Sequence, residues 1–516
     1  MRGESRVVRR SKPLSATVAL CALVLTACGS TVRADSEVLS RQASPVGGAE
    51  LSRTEGARPL VSESSASPDA AADGPIFDGR PLQRPALGPV GVEPSTSPGE
   101  SARAPASEVE DSVLNGAPII MGALVFANQE AALEASGVAG HQASDDKALI
   151  EFLVADLNAR GGINGRPLVP LFYEQDANRA ADPTVIQEEQ CAHFTQDNRV
   201  DVAIISNGDI IEECLADAGV PLVQTFAGAG RERLTRNPLQ TPVSAMELDR
   251  AGSMIPGRLI DMGYLDAAAS PRIGVVTIDQ PQWRRATDEA LVPALTAAGF
   301  PPQDVVYLTS ALYRADAGQA AQDTQNAVVQ FNSQGIDHVI FFDSVNGLFF
   351  ALFGEQQGYT PRYSWTSMDQ PNVVSQNVGS AALEDSVGVG WWPHSDVYPA
   401  DFDGPAAALA PECLAKTGDR WPEVNAVQAC DYVGFLEAAL TSALTGEDGN
   451  LTPELWLHAV ETLGTSFSSS FTYRTFFGPG RHDGVSAVRD FGYSTACSCF
   501  RYTSGLHSIS ARGGGS

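Results

Sequence analysis

The sequence predicts an α/β protein built from two successive strand–helix units, each a lobe with a parallel sheet. From residue 118 onward, short apolar runs alternate with stretches of helical period, the signature of a parallel sheet with crossover helices. After residue 270 the alternation begins again, and a chain of 516 residues is too long for one ordinary core.

The first strand is expected at 118–126, PIIMGALVF. In the following ASDDKALIEFLVADLNARGG, Ser144 can cap a helix and Asp145 and Asp146 suit its first turn. Leu149, Phe152, Leu153 and Leu157 share one helical face. A strand over 166–176, a helical stretch over 183–196, a strand at 200–206, a helix at 210–219 and a strand at 220–226 complete the first series. The second series has strands at 271–279, 304–310, 336–344 and 361–367, separated by helices at 284–300, 318–335 and 347–358. A helix at 424–446 follows, then strand-like pieces near 471–477 and 488–493.

Gly161, Gly162 and Gly165 crowd into five positions of the stretch ARGGINGRP. A glycine loop that cradles phosphate leads from a strand into a helix N-terminus, where free N–H groups and the dipole favour an anion. Here the glycines follow a helix and precede a strand. Gly161 suits the left-handed position past the helix cap, Ile163 and Leu168 pack back, and Gly165 turns the chain into the strand.

The first 27 residues read as a lipoprotein signal peptide. Arg2, Arg6, Arg9, Arg10 and Lys12 precede a short apolar run ending in Leu25-Thr26-Ala27-Cys28, with Cys28 placed to take the lipid. Residues 28–116 are rich in Ser, Ala, Pro and Gly without strand or helix period, and are expected to form a disordered tether. The formal net charge of −28 argues against nucleic acid as a partner. Beyond Cys21 and Cys28, six cysteines remain, an even number in an exported chain, which favours disulfides. The expected pairs are Cys191–Cys214 and Cys413–Cys430, each closing a modest loop. A bridge between Cys497 and Cys499 would be strained, so their pairing stays open. The scattered histidines offer no metal-ligand spacing, and no cofactor is expected.

The segment LNARGGINGRPLVPLFYEQDANRAADPTVIQEEQ, followed by VDVAII, GVVTIDQPQW, GIDHVIFF, YSWTSMDQPNVV and FFGPGRHDG, resembles the type I periplasmic binding proteins, in particular the branched-chain amino-acid binders of ABC transporters. The resemblance runs from about Ile119 to Tyr502 and rests on the order of these pieces. It implies two doubly wound, Rossmann-like lobes joined by three crossover strands and closing on a small molecule. Lobe one would comprise 117–242 and 392–470, lobe two 243–391 and 471–505, and 506–516 would be a flexible tail.

Ligand-binding candidates lie just past each strand. They are Ser206, Asn207 and Gly208; Thr225, Phe226 and Ala227; Trp283; Asp343, Ser344 and Asn346; and Asp369. Asn128 and Phe126, past the first strand, are weaker ones. The resemblance implies that the Ser206 loop offers hydroxyl and N–H groups to a carboxylate. It sets Asp369 where the amino-acid binders carry a glutamate for the ligand's ammonium group. Two departures stand out: Ala229 replaces a hydroxyl residue and Arg284 replaces a glycine. His482 and Asp483 form a catalytic pair on paper, but no nucleophile elbow, Cys/His pair or metal cluster accompanies them, so no enzyme is expected.

The function implied is a monomeric, lipid-anchored, extracytoplasmic solute-binding protein that hands an amino-acid-like or amide-like ligand to an ABC permease. A sensory receptor of the same fold is the alternative.

Overall fold

The computed structural model describes residues 116–129, 139, 142–177, 179, 181–205, 208–224, 228–309, 317–344, 346–397, 407–445 and 450–509. Cys28, the signal segment and almost all of the tether lie outside these. The first series gives β1 (Ile119–Ala127), α1 (Asp146–Ala159), β2 (Leu168–Asp176), α2 (Pro183–Ala192), β3 (Val202–Ile205), α3 (Asp209–Asp217), β4 (Leu222–Gln224), α4 (Arg231–Arg236) and β5 (Gln240–Pro242). The five strands are parallel in the order β2-β1-β3-β4-β5. Asp145, rather than the expected Ser144, caps α1, its carboxylate accepting the N–H of Ala148 at 3.0 Å. Ser144 is buried instead.

The glycine cluster ends α1 as expected. Gly161 donates to the Asn158 carbonyl and Gly162 to that of Leu157, the paired bonds of a Schellman ending. Gly162 and Gly165 stand at φ +62° and +80°, where a side chain is disfavoured. The Asn158 amide then pins the start of β2, donating to the Leu168 carbonyl at 2.8 Å and accepting its N–H at 2.9 Å.

The second series gives α5 (Leu248–Asp261), β6 (Ile273–Ile278), α6 (Pro281–Ala286), α7 (Val292–Ala297), β7 (Asp304–Leu308), α8 (Ala317–Ser333), β8 (His338–Phe342), α9 (Asn346–Gln356), β9 (Arg362–Thr366), α10 (Pro371–Asn377) and β10 (Val387–Gly390). Then come α11 (Pro393–Asp396), α12 (Ala410–Thr417), α13 (Glu423–Ala443), α14 (Pro453–Thr462), β11 (Ala487–Ser494), β12 (Cys499–Tyr502) and β13 (His507–Ser508). The second sheet runs β12-β11-β10-β9-β8-β6-β7, parallel from β7 to β10 and antiparallel beyond. The helix expected over 284–300 is split by a wider turn at Thr287–Leu291, because Pro293 has no N–H to continue the ladder. The strand expected near 471–477 is reduced to one bridge, Thr475 to Val485. The start of the expected tail is ordered, with His507–Ser508 paired to β11.

Each sheet is covered on both faces. In lobe one, Leu149, Leu153 and Leu157 of α1 pack with Phe435 and Leu440 of α13 on one side, while Phe194, Ile211 and Leu215 fill the other. In lobe two, Ile255 and Leu259 of α5 lie on one face and Phe331 and Phe350 of α8 and α9 on the other.

The chain passes between the lobes at 243–247, 391–392 and 471–486, and these segments bond to one another. Trp392 Nε1 donates to the Ser244 carbonyl at 2.5 Å, Thr472 Oγ1 to the Trp391 carbonyl at 2.8 Å, and Gly484 N to the Pro242 carbonyl at 2.9 Å. Arg250 and Asp483 form a buried ion pair beside them. Backbones touch closely enough at Gly228 that a Cβ would lie 1.9 Å from the Met246 carbonyl oxygen.

Cys191–Cys214 and Cys413–Cys430 are bridged as expected. Cys497–Cys499 is bridged as well. The expectation of a strained pair is therefore corrected: the turn between β11 and β12 brings the two Cα atoms to 5.2 Å, within the ordinary range for a disulfide.

Candidate functional site

Ligands of doubly wound sheets sit beyond the carboxyl ends of the parallel strands. In lobe two, three consecutive strands each lead into a buried aspartate. After β8, Asp343 is fully buried and its Oδ1 accepts the N–H groups of Ser344 and Asn346, which orders the start of α9. After β9, Asp369 is 4% exposed, and its Oδ2 accepts from Thr366 N at 2.7 Å and Thr366 Oγ1 at 2.9 Å. After β10, Asp396 Oδ2 accepts from Trp392 N at 3.1 Å and Tyr502 Oη at 3.0 Å.

Burial, reinforced by the Asp343 charge, pushes the Asp369 carboxyl well above its usual range. Burial lifts Asp396 to about 7. Asp369 Oδ1 is buried without a hydrogen-bond partner among the described residues. Asp369 is thus not a solvated loop acid. Half of its carboxylate closes a capping box and the other oxygen is left over.

The sequence reading overlooked Asp396. The signal that marks Asp343 and Asp369, an acid just past a strand, is present there too. But β10 reads VGVG, without the bulky apolar residues that announce a strand.

Trp283 requires a correction. It is 2% exposed and lies in the core edge-on to Phe342, with ring centroids 5.4 Å apart, so it packs the lobe rather than standing exposed at the cleft mouth. Arg284, its neighbour, pairs with Asp279 at 2.5 Å and stacks over Tyr307 at 4.1 Å. Ser344 and Asn346 are buried, and Asn346 Nδ2 reaches the Leu308 carbonyl at 3.5 Å. Ala229 is buried, its carbonyl accepting Leu248 N at 3.1 Å.

In lobe one, Ser206, Asn207, Thr225, Phe226 and Ala227 lie outside the described residues. Gly208 does not, and its N–H donates to Glu212 Oε1 at 3.0 Å. Glu212 is a buried node: Arg233 Nε lies 2.9 Å from its Oε2, and Gln240 Nε2 donates to the same oxygen at 2.9 Å and to Gln224 Oε1 at 2.8 Å. Burial raises its carboxyl to about 6 despite the arginine. The node joins Gly208, just past the first candidate loop, to the side chain of Gln224, just before the second, and the sequence reading missed it. Its only signal is an acid on the apolar face of α3, between Ile211 and Leu215. Asn128 is exposed at φ +59° and donates to Asp176 Oδ1 at 3.1 Å, bracing the ends of β1 and β2. Phe126 is half-buried on β1.

His482 and Asp483 do not act together. His482 Nε2 lies 3.3 Å from Glu461, whereas Asp483 faces Arg250 and Arg481.

The lobes touch across the cleft. Gly230 N donates to Gln282 Oε1 at 3.3 Å, Gln282 Nε2 reaches Asp209 at 3.5 Å, and Arg285 pairs with Glu232. These residues, with Arg233 and Arg236, line a cavity of about 530 Å³ where α3, α4 and α6 meet. A second contact joins Ala139 and Asn377 by two bonds of 2.8 Å.

No protein-family model matches the chain, and no curated sequence matches it. Solved structures do. A type 1 periplasmic binding protein from Bordetella pertussis Tohama I superposes with a TM-score of 0.54 at 16% identity, over 75% of this chain and 98% of that one. A solute-binding protein of an ABC transporter from Rhodopseudomonas palustris BisB5, in complex with 3,4-dihydroxybenzoic acid, gives 0.55 at 12% identity, over 76% and 98%. A branched-chain amino acid ABC transporter protein from Thermus thermophilus with bound valine gives 0.53 at 15% identity, over 77% and 96%. At such identities the likeness establishes architecture, and the chain has the type I periplasmic binding protein fold.

Proposed function

We propose that this protein is the extracytoplasmic solute-binding component of an ABC importer, held to the membrane by lipid on Cys28. It captures a small amino-acid-like or amide-like molecule between its lobes and acts as a monomeric binder, not an enzyme. The observation that carries the reading is the unpartnered, buried Asp369 oxygen at the carboxyl edge of the lobe-two sheet, next to Asp343. A carboxylate so placed suits a protonated nitrogen or an amide N–H of the ligand. Ser206, Asn207, Thr225, Phe226 and Ala227 of lobe one are suited by residue type and place in the chain to the ligand's polar or anionic end, whereas the N–H groups of Gly208, Ile210 and Ile211 at the start of α3 are already taken by Glu212 and Gln187. Gln282 and Arg285 are suited to favouring the closed arrangement, and a permease would read that closed surface. The valine and dihydroxybenzoate complexes of similar fold support a small-molecule ligand of this size.

The test is thermal melting of the full chain against amino acids, amides, polyamines, sugars and aromatic acids. A true ligand at a hundredfold excess over its Kd stabilises by about 2.7 kcal/mol and raises the melting temperature. A cooperative melt that no nitrogen-bearing compound shifts overturns this ligand class.

A further inference from the structure

The β11–β12 hairpin carries chemistry that ligand capture does not use. We propose that Cys497 and Cys499 form a thiol–disulfide exchange site that reacts with a dithiol reductant.

Folding does not account for this bridge. A disulfide stabilises mainly by restricting the unfolded chain, and the effect grows with the loop it closes. The other two bridges join residues 23 and 17 apart, whereas Cys497 and Cys499 are 2 apart and enclose only Ser498. The hairpin is already held by strand pairing from Phe491–Tyr502 through Ser494–Cys499.

Accessibility and charge favour reaction. Cys497 is exposed, while Cys499 is buried at the start of β12, and Cys413, Cys191, Cys214 and Cys430 of the other bridges are buried or half-buried. An incoming thiolate therefore meets Cys497 first. From 491 to 508 the sequence FGYSTACSCFRYTSGLHS holds Arg501 and His507 and no carboxylate, and His507 Nε2 lies 3.2 Å from Asp490 Oδ2 at the base of the hairpin. Arg501 lies two residues beyond Cys499 on the same face of β12, and a nearby cation favours a leaving thiolate.

In the exchange, one thiolate of the reductant attacks Cys497 Sγ, the Cys497–Cys499 bond breaks, and Cys499 leaves as thiolate. The reductant's second thiol, once deprotonated, attacks its own sulfur in the mixed disulfide and expels the Cys497 thiolate. The reductant ends as a disulfide, two electrons pass to the cysteine pair, and the two thiol protons end on Cys497 and Cys499.

The test uses the folded full chain with free thiols blocked beforehand, exposed to graded dithiothreitol or, separately, to a reduced Cys-x-x-Cys protein. Newly opened cysteines are then alkylated and located by mass. The expected result is alkylation of Cys497 and Cys499 at a reductant concentration at least tenfold below that needed for the other bridges, with the melting temperature unchanged. Reaction with the protein alone identifies a macromolecular reductant, and reaction with both identifies a site open to small dithiols. Opening of all three bridges together, or of Cys497–Cys499 last, overturns the proposal. So does an early phase that persists in the Cys497→Ser, Cys499→Ser double variant.

Discussion

Asp369 accepts two hydrogen bonds from Thr366, one from its backbone at 2.7 Å and one from its hydroxyl at 2.9 Å, and this capping box fixes the turn that ends β9. The same geometry leaves the other carboxylate oxygen without a hydrogen-bond partner among the described residues, so the proposed binding role falls on a different atom from the structural one.

Asp369→Asn should separate those roles. The amide oxygen can still accept from Thr366, so folding should be retained, while affinity for a cationic ligand should drop at least tenfold, about 1.4 kcal/mol. Asp369→Ala should lose the affinity and in addition about 1 kcal/mol of stability with the cap. Calorimetric titration and melting of both variants check this. Affinity retained within about threefold in Asp369→Asn removes Asp369 from the site.

The ion pair between Arg250 and Asp483 is buried at the crossing between the lobes, and Glu247 N donates to the same carboxylate at 2.8 Å. Breaking a buried pair strands the remaining charge, so Arg250→Ala should destabilise by about 3–5 kcal/mol in denaturant unfolding. The joint replacement Arg250→Met with Asp483→Leu should recover much of that loss. A loss below about 1 kcal/mol in Arg250→Ala would show that water reaches the site.

Stability should fall as pH rises through the range from about 4 to 7. Asp396 at about 7 and Asp431 and Glu212 at about 6 all lie above their ordinary values of 3.8, 3.8 and 4.5, because burial disfavours the charged form. The folded state therefore binds more protons than the unfolded one in that window. Their favourable contribution is complete below the unfolded values and is lost as pH passes the folded ones. Melting temperatures measured from about pH 5 to 8 should decline, and Asp396→Asn should flatten the upper part of the curve. A melting temperature that rises across the window would show these carboxylates to be charged when folded. Glu189, lowered to about 2 by its exposed pairing with Arg179, acts with the opposite sign and only at more acid pH.

Local sequence determined the elements whose signals are local. The apolar runs of β6 and β8 are buried along their whole length and that of β1 over five of its nine residues, and the glycines after α1 can only end a helix, since their backbone angles exclude its continuation. The Cys191–Cys214 and Cys413–Cys430 pairs were legible because each links neighbouring elements. The tertiary structure decided what depends on distant partners. VGVG becomes β10 only because β9 and β11 flank it, and that alone buries Asp396 beside Tyr502, 106 residues away. Trp283 turns inward because Phe342 of β8 meets it. Glu212 becomes a support for the Gly208 loop because Arg233 and Gln240 fold onto it. Periodicity is a property of neighbours along the chain, whereas burial, pairing and the charge state of an acid are set by whatever the fold brings against it.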